Sequence, residues 1–333
     1  MRAAKFEGND TVHLVEKPTP AVGPEEVLLK IAYCGLCGSD KRIFHNGHQV
    51  TPGHELSGTV VARGSQVENL AVGTKGIVYI PLFCGKCPEC TAGFPNRCET
   101  KPGLVGWQVD GGYAEYIAIP ARNLIPLPED IDLKEGVLLL DTVSTPAHGI
   151  RLCLMSFGQK TPPRAAVLGC GPLGLGSLLV LKAMGIPEIY AYDISPTRMA
   201  VAEQFGAQRL DPGGAAFQDA IPLILEASGS LEARAQAFDL VKAGGAILLL
   251  GENNSPWTIT PTPRLRRKDC AYIRSFYFLL SEMEANYQLF RNCRADFNQL
   301  ITKIGLLDEI EQFHLEFCRG ETIKPMIRLD CDN

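Results

Sequence analysis

No stretch of this 333-residue chain is apolar for long enough to span a bilayer. Runs such as V-L-L-L at 137–140 and A-I-L-L-L at 246–250 fall far short of the roughly 20 residues that a membrane helix requires. The opening residues, M-R-A-A-K-F-E-G-N-D, lack the apolar core of a secretion signal. A basic excess is also missing. The 32 Lys and Arg against 37 Asp and Glu give a net charge of −5, which leaves no basic face for nucleic acid. There is no internal repeat, low-complexity segment or charged tail. These absences argue against a membrane protein, a nucleic-acid binder and a solenoid. What remains is a chain long enough for two domains with their own cores, with the ordinary 46% hydrophobic and 21% charged content of a globular protein.

Twelve cysteines without a secretion signal point to a reducing compartment, the cytoplasm, and to metal binding rather than disulfides. Four of them, Cys84, Cys87, Cys90 and Cys98, fall within C-G-K-C-P-E-C-T-A-G-F-P-N-R-C. That spacing folds four thiolates around one tetrahedral zinc, with Gly93 and Pro95 turning the chain back for the fourth. A filled tetrahedron has no open position, so this site is structural. Cys34, Cys153, Cys170, Cys270, Cys293, Cys318 and Cys331 show no ligand spacing.

A second, open site begins at Cys37 in G-L-C-G-S-D and continues at His54 and Glu55 in P-G-H-E. A catalytic zinc takes three protein ligands and keeps one position for water or substrate. Cys37 and His54 supply two, and Asp141 in L-L-L-D-T-V-S-T-P-A-H-G is the best candidate for the third. Asp132 with Glu135 reads as a capping box opening a helix that would carry Asp141 and run toward Leu154.

Farther along, R-A-A-V-L-G-C-G-P-L-G-L-G joins an apolar strand to Gly169-x-Gly171-x-x-Gly174, with Pro172 and Leu173 opening a helix. A second strand ends at Asp193, nineteen residues beyond Gly174. Strand, glycine loop, helix and acid in this order form a dinucleotide fingerprint. The helix N-terminus receives the pyrophosphate, and Asp193 accepts the ribose hydroxyls while repelling a 2′-phosphate, which favours NAD over NADP. Strands are expected at 27–31, 58–61 and 76–80 in the first part. Others are expected at 165–168, 188–192, 222–226 and 246–250 in an alternating strand–helix pattern. Ser195-Pro196 reads as a helix cap with proline in the first helical position. The short stretch between Gly206 and Ile221 leaves room only for a turn or a very short helix.

With D-G-G-Y-A-E-Y (110–116) and the terminal G-E-T-I-K-P-M-I, these motifs follow one another over nearly the whole chain. Their order resembles the zinc-containing medium-chain dehydrogenase/reductase family of alcohol and polyol dehydrogenases. The resemblance implies an α/β fold. It would pair a Rossmann doubly wound parallel sheet with a β-rich, GroES-like catalytic domain that carries the structural zinc lobe. It divides the chain at 1–148, 149–275 and 276–333, the last part completing the catalytic domain. It further implies two zincs per chain, NAD, a small-molecule alcohol or ketone substrate, and a homodimer or homotetramer.

By the same resemblance Ser39 takes the substrate's proton. Glu55 is either a transient zinc ligand or a carboxylate behind the ligands. Arg198 covers the adenine or caps a solvated helix face, and Lys324 lies near the pyrophosphate or on the surface. His148 falls where the family commonly has a histidine. Trp107 walls the substrate pocket or packs the core. Arg42 stands where the family often has the histidine that ends the proton relay. A guanidinium cannot act as a base, so His45 or bulk water would end it, and Arg42 would attract an anion. The substrate implied is a secondary alcohol or polyol. A sugar, amino alcohol or cyclitol of a biosynthetic route is the alternative, and a non-catalytic zinc- and nucleotide-binding protein is the rival from another class.

Overall fold

The structure is a computed structural model that describes residues 1–158 and 160–329, so Cys331 lies outside the described residues. The chain forms two compact units. One comprises Met1–Leu140 with the chain from Asn298 onward, and the other is Asp141–Phe297. Among the described residues, no helix is long and apolar enough to cross a membrane.

The first unit is built on the strand Glu26–Gly35, in which Val27, Leu29 and Ile31 are fully buried. It pairs antiparallel with Glu55–Arg63, Tyr116–Pro120 and the C-terminal strand Met326–Arg328. Met326 lies opposite Gly35, which sets this strand beside the turn that leads to Cys37. Strands Lys75–Val78, Leu124–Pro126 and Ile304–Leu306 complete seven. The N-terminal hairpin, Arg2–Gly8 with Thr11–Glu16, turns at Asn9 and Asp10. Both have positive φ, +50° and +61°, as a tight two-residue hairpin turn demands.

The second unit is a six-stranded, all-parallel sheet. Across it run Gln208–Arg209, Glu188–Tyr192, Arg164–Leu168, Ile221–Glu226, Val241–Leu249 and Ala271–Arg274. Strand order reverses at Arg164–Leu168, which places a topological switch point where that strand opens into Gly169. Between Gly206 and Ile221 lie the two-residue edge strand Gln208–Arg209 and the one-turn helix Ala215–Phe217, as so short a stretch requires. Ser195 caps Pro196–Gln204 by accepting a hydrogen bond from Arg198 N–H at 3.4 Å.

Two features depart from the sequence reading. The Asp132–Glu135 capping box is present, but the helix it opens, Leu133–Leu138, does not run on unbroken. Leu140 leaves helical geometry (φ −75°, ψ −108°), a wide turn covers Leu139–Ser144, and a separate helix spans Thr145–Ser156. Pro146 stands in the first turn of that second helix, where a proline is tolerated because its missing N–H would have no partner. Residues 141–148 and 276–297 also lie in the second unit rather than with the first. Polar contacts hold them there. Asn286 Nδ2 donates to Ser144 Oγ at 2.9 Å, Arg151 donates to Asn286 Oδ1 at 2.8 Å, and buried His148 Nδ1 lies 3.0 Å from Glu282.

Gly174 faces the tightest approach in the second unit. A Cβ there would lie 1.7 Å from the Gly169 carbonyl oxygen, so any side chain must separate helix from loop. Gly174→Ala is expected to lower stability by about 2–3 kcal/mol. Thermal unfolding followed by circular dichroism should show Tm falling by several degrees. An unchanged Tm would mean that the loop yields without strain.

Candidate metal centres and dinucleotide loop

The four lobe cysteines converge as their spacing requires, with all four sulfurs within 4.8 Å of one another. Gly85 and Gly93, at φ +71° and +90°, supply the left-handed turns. Backbone N–H groups point at the sulfurs. Cys84 N–H donates to Cys98 Sγ at 3.3 Å, and Cys87 N–H donates to Cys84 Sγ at 3.3 Å. Burial acts to raise the Cys98 thiol, but hydrogen bonds from Thr100 and from backbone N–H groups bring it down to about 6. Burial and the neighbouring thiols push Cys90 up to about 12. Four soft donors with thiolate-stabilising N–H groups fit a structural zinc, whose binding displaces the protons that remain.

A second convergence joins residues far apart in sequence. Cys37, His54, Glu55 and Asp141 each offer a ligand atom, and these atoms also lie within 4.8 Å of one another. Cys37 follows the strand Glu26–Gly35, and Glu55 opens the strand Glu55–Arg63 that pairs with it. Asp141 is joined to Leu140 by one peptide bond, so the break at Leu140 sets its direction. His54 is preceded by Gly53, whose φ of +95° no L side chain adopts readily. A Cβ there would also meet Cys34 Sγ at 2.8 Å and Tyr113 N at 2.9 Å. Thiolate, imidazole and carboxylate together suit zinc. The buried Lys324 ammonium offsets the Glu55 carboxylate in this cluster.

Two residues that the sequence reading passed over hold the imidazole. Asp40 is fully buried, with Oδ1 3.3 Å from His54 Nδ1. Its Oδ2 accepts from the Tyr113 hydroxyl at 2.9 Å and from Cys37 N–H at 3.0 Å. Burial acts to raise the Asp40 carboxyl. His54, through charge and contact, together with His314 and the Cys37 N–H, keeps it below the usual carboxylate range. With Nδ1 turned to a carboxylate, Nε2 is the nitrogen available to a metal. Both residues stand inside motifs visible in the sequence, G-L-C-G-S-D and D-G-G-Y, but nothing local joins them across 73 positions.

Other expected site residues fall as follows. Ser39 is half-buried at the start of the helix Asp40–Asn46. His45 follows Arg42 by three positions in the helix Asp40–Asn46 but is turned to the surface. Its side chain is 72% exposed, with Nδ1 3.5 Å from Asp10 Oδ1. The N-terminal hairpin turn causes this, because Asn9 N–H and Asp10 N–H donate to the carbonyls of His45 and Phe44 and draw that end of the helix toward Asp10. Arg42 instead lies over the Trp107 ring, 5.2 Å from its centroid, and that ring is 5.7 Å from the His54 ring. Lys324 is not on the surface. It is buried, paired with Glu55, and donates to the Leu36 carbonyl at 3.2 Å.

In the second unit, Gly169 takes φ +96° against Ser228, and Gly171 caps the helix Pro172–Ala183 with open space where a Cβ would stand. Pro172 occupies the first helical position, followed by Leu173. This gives an open, N–H-lined approach for a phosphate at a twelve-residue helix. Asp193 ends its strand and also braces the loop. Its oxygens accept from Cys170 N–H at 2.6 Å and Ser195 N–H at 2.8 Å, and a carboxylate retains further acceptor sites for ribose hydroxyls. Arg198 is half-buried one turn beyond the Ser195 cap.

Comparison with known proteins agrees with this arrangement. Residues 23–129 match the model of the alcohol dehydrogenase GroES-like domain. Over 278 residues the chain is 31% identical to a zinc-type alcohol dehydrogenase-like protein of Escherichia coli K12, covering 76% of this chain and 77% of that protein. It is 36% identical over 210 residues to galactitol 1-phosphate 5-dehydrogenase of the same strain, covering 60% and 59%. A zinc-binding dehydrogenase from Sinorhizobium meliloti 1021, solved with NADP, superposes with a TM-score of 0.85 at 25% identity over 98% of each chain.

If Asp40 positions His54 for a metal, Asp40→Asn should weaken the second metal site by about 10–100-fold. The lobe zinc should stay in place. Competition with a chromogenic chelator reads both affinities. Equal loss at both sites would mark a general folding defect instead.

Proposed function

The chain belongs to the zinc-containing medium-chain dehydrogenase/reductase family, and we propose that it oxidises a secondary alcohol or polyol to a ketone with NAD. General zinc alcohol dehydrogenase activity follows from that membership. Substrate class, cofactor preference and residue roles are our reading, and the convergence of Cys37, His54 and Asp141 carries it.

In this reading Cys37, His54 and Asp141 hold a catalytic zinc, and the two anionic ligands neutralise the dication. Cys84, Cys87, Cys90 and Cys98 hold the structural one. Zinc, when bound, polarises the substrate oxygen, and NAD accepts the hydride. Glu55, tied to Lys324, serves as the carboxylate behind the ligands and keeps that lysine's charge beside them. Asp40 holds the His54 ring in one orientation and tautomer. Ser39 Oγ receives the hydroxyl proton and passes it to water, since Arg42 cannot take it and His45 is turned toward Asp10. Gly171 and the helix N-terminus beyond it receive the pyrophosphate, and Asp193 receives the ribose.

A polyol fits better than a simple alcohol, because a carboxylate third ligand goes with such substrates in the family and one relative is named for a hexitol phosphate. A non-catalytic binding protein fits poorly, since Cys37, Ser39 and His54 are all present.

The test is a panel of alcohols, polyols and sugar derivatives with NAD⁺ and NADP⁺, read at the absorbance of the reduced cofactor. Wild type should favour NAD⁺. Asp193→Ser should move the NADP⁺/NAD⁺ ratio of kcat/KM upward by about 10–100-fold, or about 1.4–2.8 kcal/mol. Wild-type preference for NADP⁺ would remove the role given to Asp193.

A further inference from the structure

We propose that Thr145 is the positioning residue of the third zinc ligand, Asp141, and holds its carboxylate turned to the metal position. This rests on the reading of Asp141 as a ligand and adds a group that sets its direction. The contacts that carry it lie in the second unit. The Thr145 hydroxyl donates to Asp141 Oδ1 at 3.0 Å. A threonine in a helix commonly gives its hydrogen to a backbone carbonyl one turn back. Here the single hydroxyl hydrogen goes to a side chain instead. That same side chain offers an oxygen to the cluster with Cys37, His54 and Glu55.

The backbone next to Asp141 is anchored by its neighbours. Thr142 is buried, and a Cβ on Gly176 would lie 2.3 Å from the Thr142 carbonyl oxygen. The wide turn Leu139–Ser144 is thus seated on the helix Pro172–Ala183 at a point where only a glycine leaves room. Val143 is fully buried, and Ser144 Oγ accepts from Asn286 Nδ2 at 2.9 Å. An anchored backbone does not by itself set the carboxylate. Asp141 is half-buried, and its side chain still turns about two torsions. A hydrogen bond to one oxygen selects among those rotamers. A ligand already turned to its working direction then binds metal at a lower entropic cost.

The helix itself does not use this hydroxyl. Thr145 opens the helix Thr145–Ser156, whose capping position is Ser144, and the Ser144 side chain makes no cap bond. The Thr145 hydroxyl therefore serves the carboxylate rather than the helix start. Four positions separate the two residues, the spacing that brings side chains together on a helical face. The pairing holds even though the chain leaves helical geometry at Leu140.

The experiment uses the zinc-loaded full chain without cofactor, and competition with a chromogenic chelator reads the affinity of each site. Thr145→Val keeps the branched shape and replaces the hydroxyl with a methyl. The open site should lose about 10–100-fold in zinc affinity, while the four-cysteine lobe binds as in wild type. Thr145→Ser restores the hydroxyl on the same carbon and should recover most of the loss. A residue that merely packs the turn would give the reverse order, because valine is nearer to threonine in shape than serine is. Wild-type affinity in Thr145→Val, or a serine variant as weak as the valine one, overturns the proposal while leaving Asp141 a ligand. A loss shared equally by both sites marks a folding defect and also overturns it. One zinc in wild type, or two retained in Asp141→Ala, removes the ligand reading and this proposal with it.

Discussion

The contact between Asp40 and His54 is the constraint around which the first unit is arranged. A carboxylate with no exposed surface is tolerable only if its charge is met, and here an imidazole, a tyrosine hydroxyl and the Cys37 N–H meet it. That requirement brings three segments to one point: the turn after Glu26–Gly35, the loop before Glu55–Arg63, and Tyr113. Once they meet, a thiol and an imidazole face the same space with their orientations fixed. Cys37 and His54, two of the proposed zinc ligands, are thus arranged by a buried polar network around Asp40.

The second unit solves a different problem, close approach of a polyanion to backbone. It does so with the absence of side chains. Gly174 brings the helix against the loop, Gly171 leaves an open face, and Asp193 holds the loop through two backbone N–H groups while remaining able to accept more. The acid at the strand end therefore has a structural role alongside the cofactor role that its position suggests.

Much of this was readable from sequence because its signals are local. Four cysteines in fifteen residues, a glycine loop after an apolar strand, and the Asp132–Glu135 cap each depend on neighbours a few positions apart, and each appears in the structure as read. The readings that changed depend on distant partners. The helix through Asp141 breaks at Leu140, which helical periodicity alone does not register. His45 turns away because a hairpin turn more than thirty residues earlier captures the end of its helix. Lys324 and Glu55, 269 positions apart, pair in a buried contact that no motif in either segment announces. Asp40 and Tyr113 sat in quoted motifs, yet their partnership is purely tertiary.

The central claim is that one chain holds two zincs, one closed and one open, with Asp141 completing the open one. Metal content per chain, measured by mass spectrometry on wild type and on Asp141→Ala after equal dialysis, tests it most directly. Two zincs in wild type and one in the variant, with the variant still folded, is the expected result. One zinc in wild type, or two in both proteins, would contradict the account.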